Sequence, residues 1–191
     1  MSTTAPGRER GTAGEALCLL ALLALFPAPA PAETGDLEAG VKAAYIYNFT
    51  RFVEWEVPAS TGAAPAAGGF TVCALGEGPV TSALGALEGR KAGGSAIKVT
   101  RYREAARLSS CRILFISRSA EKGLERTLAA LGPGTLTVSD IPGFARKGGI
   151  IGFFMDDKKV RIEVDPRRAG EAGLKLSPRL LQVSKIIGDP R

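Results

Sequence analysis

The sequence predicts an α/β fold: a three-layer sandwich whose sheet is mainly parallel and carries a C-terminal antiparallel hairpin. Three observations lead there. Short strand-like runs alternate with helical segments along the chain, the pattern of a sheet covered by helices on both faces. Ile113 to Ser117 (ILFIS) is almost wholly apolar, as strands buried on both faces of a parallel sheet are. Ile150 to Met155 and Lys159 to Val164 are separated only by Asp156-Asp157-Lys158, a spacing that closes an antiparallel hairpin.

The elements follow in order. Arg8 and Arg10, the apolar run Ala16 to Phe26, and the small residues Ala28 to Ala32 have the charged, apolar, small-residue order of an export signal. The run is far shorter than the ~20 residues of a membrane-spanning helix. We expect a signal peptide over residues 1–32, cleaved after Ala32, and a single domain over 33–191. A retained anchor is the alternative. Cys18 lies too early in the run for lipid attachment.

Asp36 to Glu54 has apolar residues near the helical period, at Leu37, Val41, Ala44, Tyr45, Phe49, Phe52 and Val53. Val57-Pro58 ends it, and the Ala, Gly and Pro-rich stretch Ala59 to Gly69 reads as a loop. Phe70 to Leu75 is a strand, Val80 to Leu87 a short helix, and Ile97 to Tyr102 an alternating strand. Ser119 to Leu131 is amphipathic and helical. Leu136 to Ser139 is a strand ending at Asp140. After the hairpin, Ala169 to Leu176 reads as helical. Ser177-Pro178 supplies an N-cap with proline at the first helical position, and Arg179 to Ile187 is expected to be the last helix.

Composition excludes much chemistry. The chain has 191 residues and no histidine, which removes Ser-His-Asp and Cys-His pairs and histidine-ligated zinc. Gly76-Glu77-Gly78-Pro79 lacks the third glycine of a phosphate loop and puts Glu77 where an anion would sit. Ser-x-x-Lys occurs at Ser95–Lys98 and Ser119–Lys122, without the Ser-Asp-Asn or Lys-Thr-Gly companions that give it catalytic meaning. No enzyme, metal or cofactor is expected.

Net charge is +6, and removing residues 1–32 takes away Arg8, Arg10, Glu9 and Glu15 and leaves it unchanged. The excess is spread along the chain without clustered aromatics, so nucleic-acid binding is not inferred. Cys73 and Cys111 are the cysteines that remain after export. In an oxidising compartment they suggest one disulfide, worth roughly 4 kcal/mol in the chain-entropy model; two buried thiols are the alternative. Asp140 ends a strand, a place where α/β proteins often put functional groups, or it simply turns the chain with Pro142-Gly143. Arg161 and Glu163, two apart on one strand, are expected to form a surface pair.

Five segments carry a family resemblance: Val41-Lys42-Ala43-Ala44-Tyr45-Ile46-Tyr47-Asn48-Phe49 with Phe52-Val53-Glu54-Trp55; Phe70 to Gly76; Cys111 to Ser117; Leu136 to Ala145 with Gly148 to Ile151; and Gly173 to Ser177 with Leu180-Leu181 and Lys185 to Ile187. Together they resemble the YfiR family of periplasmic regulators, in the family order and over nearly the whole mature chain. The resemblance implies an α/β homodimer in the periplasm. It would bind the periplasmic sensor domain of an inner-membrane diguanylate cyclase, hold it inactive, lower cyclic di-GMP and restrain biofilm growth. In the best-known system an outer-membrane lipoprotein captures the regulator.

By the same resemblance Cys73 and Cys111 match the family disulfide. The second disulfide of the best-known member has no counterpart, since Ala145 and Gly152 lie in that region. Phe153, Glu163 and Leu174 are the implied partner contacts. The competing reading is a ligand-binding sensory module serving a histidine kinase or transporter, with its pocket beside Asp140 and Phe144.

Overall fold

The computed structural model describes residues 1–3, 32–56, 69–105, 108 and 111–188. The export signal and most of the Ala59 to Gly69 loop lie outside the described residues.

Helix α1 (Ala32–Phe52) presents Ala39, Ala43, Ile46 and Phe49 to the core, the three-and-four spacing of one helical face. It stops two residues before the expected end, where β1 (Val53–Trp55) begins. The reason is non-local. β1 pairs antiparallel with β9 (Leu174–Leu176), Val53 opposite Leu176 and Trp55 opposite Leu174, as a separate two-stranded sheet.

The main sheet has eight strands: β2 (Phe70–Leu75), β3 (Lys91–Ala92), β4 (Ser95–Tyr102), β5 (Ile113–Ile116), β6 (Leu136–Ser139), β7 (Ile151–Asp156), β8 (Lys159–Val164) and β10 (Lys185–Ile186). Their spatial order is β10-β8-β7-β6-β5-β2-β4-β3. Neighbours from β4 through β7 are parallel, and β7–β8 is the antiparallel hairpin. Asp157 and Lys158 at its tip both have positive φ, as a tight two-residue hairpin turn requires.

Alternation along the strands assigns the two faces. Val72, Ala74, Ile113, Phe115 and Val138 join α1 in the larger core. Cys73, Leu75, Leu114 and Ile116 point the other way, into a second core with Leu124, Ile141 and Phe144. Both faces are covered, which gives the expected three layers.

Between the strands run α2 (Pro79–Ala83), continued by a 3-10 turn over Leu84–Leu87, and α3 (Leu124–Ala129). The expected Ser119 to Leu131 helix opens as a 3-10 segment, Arg118–Gly123, and becomes α-helical only at Leu124. α4 (Pro166–Glu171) is capped by the Asp165 side chain, which accepts from the Arg168 amide. Gly173, at φ +71°, ends that segment. The expected Ala169 to Leu176 helix therefore gives way to β9, whose apolar residues pair with β1.

The last expected helix is also shortened. α5 (Pro178–Gln182) starts as anticipated, with the Ser177 side chain accepting from the Leu180 amide. It then stops, and Lys185–Ile186 pair in parallel with Glu163 and Val164 of β8. Ser184 Oγ donates to the Leu180 carbonyl at 2.5 Å and occupies an orphan acceptor of the helix end.

Candidate functional site

Parallel strands place their C-terminal ends on one edge, where open α/β sheets usually bind ligands. Here that edge is closed largely by serine hydroxyls. Ser117, after β5, donates its Oγ to the Glu77 carbonyl at 2.6 Å. Ser119 Oγ accepts from the Glu77 amide at 2.8 Å and donates to its carbonyl at 3.0 Å. Gly76, at φ +85°, is required here, since a Cβ would lie 2.5 Å from Ser119 Oγ. The Glu77 amide is thereby consumed inside the fold, which agrees with the rejection of a phosphate loop. On β6, the buried Ser139 Oγ donates to the Ile116 carbonyl at 2.6 Å and accepts from the Ile141 amide.

Asp140 follows immediately. Its Oδ2 lies 3.4 Å from Lys42 Nζ, and its carbonyl accepts from Arg118 Nε at 2.9 Å. Lys42 stands on the buried face of α1 with its side chain 5% exposed, and also contacts Glu38 Oε1 at 2.6 Å. Asp140 Oδ1 is buried with no hydrogen-bond partner among the described residues. The aspartate thus pins a helix to the sheet edge in addition to turning the chain. Buried charges of this kind are tolerated only in pairs.

Lys42 also brings a second anticipated residue into the cluster. Its Nζ is 6.0 Å from the ring centroid of Phe153. That ring stacks against Phe49 and meets Tyr45 edge-on, at 6.3 and 6.0 Å between centroids. Asp140 and Phe153 therefore share one neighbourhood. Lys42 was missed as a site residue in the sequence. The signal was a cation inside the apolar stripe Ala39, Ala43, Ile46, Phe49.

The other anticipated residues lie elsewhere. Phe144 is fully buried in the second core, packed so tightly that a Cβ on Gly149 would lie 2.1 Å from its ring. Neither of two cavities among the described residues is lined by Asp140 or Phe144. Glu163 faces away from Phe153, across the sheet. It does not pair with Arg161, as the two-residue spacing suggested. Arg161 reaches Asp156 at 3.8 Å, while Glu163 Oε1 is buried against Gly152 without a partner among the described residues. Gly152 leaves the room that the carboxylate fills. Leu174 is buried in β9 opposite Trp55. Phe153, Glu163 and Leu174 are all buried side chains in this chain.

Cys73 and Cys111 form the anticipated disulfide, with Cα atoms 5.7 Å apart. It ties the central strand β2 to the segment entering β5. Among the described residues no cluster of His, Cys, Asp or Glu could hold a metal ion, and no helix is long and apolar enough to cross a membrane.

The model of the YfiR/HmsC-like family matches residues 39–185 of the chain. The chain belongs to the YfiR/HmsC-like family. The match runs from within α1 to the first residue of β10 and includes Lys42, Asp140, the disulfide and the hairpin. The YfiR/HmsC-like family is one of periplasmic regulators of diguanylate cyclase signalling. The disulfide fits that oxidising compartment. No curated protein matches the chain. Among solved structures, a conserved domain protein from Vibrio cholerae O1 biovar El Tor is similar with a TM-score of 0.49 and 9% identity. The similarity covers 78% of this chain and 59% of that one, so this YfiR/HmsC-like chain spans less than two thirds of its length.

Proposed function

We propose that this YfiR/HmsC-like protein is exported by a cleaved signal peptide over residues 1–32. It then binds the periplasmic sensor domain of an inner-membrane diguanylate cyclase. Bound, it holds the cyclase inactive and lowers cyclic di-GMP, restraining biofilm growth. The observation that carries the binding surface is apolar exposure on the hairpin side. Met155 is 47% exposed on β7, and Val183 and Ile186 are 66% and 42% exposed on the segment that pairs with β8. These side chains flank β8 from β7 on one side and from β10 and the turn before it on the other, and exposed apolar surface on that side suits a partner. Lys158, Lys159 and Lys185 stand exposed around them.

Phe153, Glu163 and Leu174 take part in this reading from beneath. Phe153 supports the strand that carries Met155. Glu163 stands in register with Lys185 of β10. Leu174 fixes the segment leading to α5. A homodimer, and capture by an outer-membrane lipoprotein that frees the cyclase, complete the proposal on the strength of the family. A second reading, a ligand-binding sensory module serving a kinase or transporter, draws on Asp140 Oδ1, which has no hydrogen-bond partner among the described residues.

Co-purification of the tagged protein from membranes tests the proposal, together with cyclic di-GMP measured after gene deletion. A captured inner-membrane cyclase and a raised nucleotide level are expected. Val183→Asp with Ile186→Asp should abolish capture while the protein stays folded. An unchanged nucleotide level across several growth conditions sinks the cyclase reading.

A further inference from the structure

The strand order β4-β2-β5-β6-β7 reverses at β2, which the chain leaves first toward β4 and later flanks with β5 on its other side. Doubly wound sheets bind ligands at such a reversal, outside the carboxyl ends of the strands. The gap between β2 and β5 is shut by the Ser117 and Ser119 hydroxyls. Open space remains on the β4 side. There, a cavity of about 800 Å³ lies between the N-terminal turns of α1, the loop after β2, and β4. It is an open groove, and its charged wall residues Asp36, Glu77 and Arg101 are exposed to solvent.

The walls carry both signs of charge from separate elements. Arg101 comes from β4, Asp36 from α1 and Glu77 from the β2 loop, with Ala39 and Pro79 as apolar surface between them. Arg101 is positioned from the protein side. Its Nη2 donates to the Ser82 carbonyl at 3.4 Å and occupies the space left by Gly85, where a Cβ would lie 2.8 Å away. Its remaining donors have no partner among the described residues. Asp36 has no ion-pair partner among them either, and Glu77 engages only the exposed Arg103 through Oε1, at 3.2 Å. A guanidinium presents a fork that matches a carboxylate, and two carboxylates across the cavity suit an ammonium.

We propose that this cavity is a binding site for a small zwitterion, of the size of a short peptide with free termini. Arg101 takes the carboxylate, and Asp36 with Glu77 takes the ammonium. α1 forms one wall, so an occupant bridges the helix and the sheet. The site is separate from the Asp140 cluster and from the hairpin surface, and it stands whether or not the cyclase reading does.

The test is an NMR titration of the folded mature chain with trialanine, N-acetyl-trialanine and trialanine amide. Saturable shifts of the Asp36, Gly78, Ser82 and Arg101 amides are expected with trialanine in the millimolar range. Each capped peptide should bind at least about tenfold more weakly, the loss of one charge-assisted contact. Arg101→Ala should weaken trialanine comparably. Gly85→Ala, which displaces the guanidinium without removing its charge, should do so in part. No saturable shift, equal binding of the capped peptides, or full binding by Arg101→Ala overturns the proposal.

Discussion

Lys42 Nζ and Asp140 Oδ2 lie 3.4 Å apart although 98 residues separate them in the chain. The pair joins the first helix to the end of a central strand, and both groups are largely withdrawn from water.

Removing one partner strands the other. Lys42→Met should destabilise the fold by about 3 kcal/mol, the usual cost of leaving a buried charge uncompensated. Asp140→Asn should cost less, because Asp140 is 17% exposed and its amide can still accept from Lys42. Lys42→Met with Asp140→Asn should recover part of the single-variant loss. Denaturant unfolding of the four chains measures it, and strict additivity would show that the pair is not coupled.

Glu163 presents the opposite case, a buried carboxylate with an unpartnered oxygen. Glu163→Gln keeps the shape and removes the charge, so stability should rise by about 1 kcal/mol. In a domain of this size that corresponds to a Tm increase of roughly 2–4 °C. A lower Tm would indicate that the charge is held by an interaction that a neutral amide cannot replace.

The disulfide yields a third expectation. Cys73→Ala with Cys111→Ala should cost roughly 4 kcal/mol in the loop-entropy model. The wild-type chain unfolded and refolded in reductant should show the same midpoint as the double variant. Equal stability of oxidised wild type and double variant would contradict it.

Gly149 faces the Phe144 ring with no room for a methyl group. Gly149→Ala should cost about 3 kcal/mol, at the upper end of overpacking penalties, because a ring buried on all sides cannot turn aside. Phe144→Leu in the same chain should relieve part of the loss. Thermal melts of the two variants decide it.

Much of the fold is legible in local pattern. The ILFIS run, the Asp156-Asp157-Lys158 turn and the Ser177 cap announce β5, the hairpin and α5 from residues within a few positions of each other. The failures are where distant partners decide. Val53–Trp55 and Leu174–Leu176 extend helical patterns on their own and become strands because each offers the other a ladder. Lys185–Ile186 likewise leaves the helix for the free edge of β8. The site divides the same way. Cys73 and Cys111 could be paired from composition and compartment. Lys42 could not be matched to Asp140, because nothing local to either says that α1 crosses the end of β6. The reversal of Arg161 and Glu163 has a similar origin: Gly152, on the neighbouring strand, makes the space into which the glutamate turns.

The small β1–β9 sheet has a consequence for how the molecule is made. β1 leaves the first helix, and its partner is close to the C-terminus. Phe153, against which that helix packs, also comes late. Synthesis must pass Leu176 before β1 finds its strand partner, although Trp55 can already pack on Phe70 and the helix on β2. The two-stranded β1–β9 ladder can therefore close only when the chain is nearly complete.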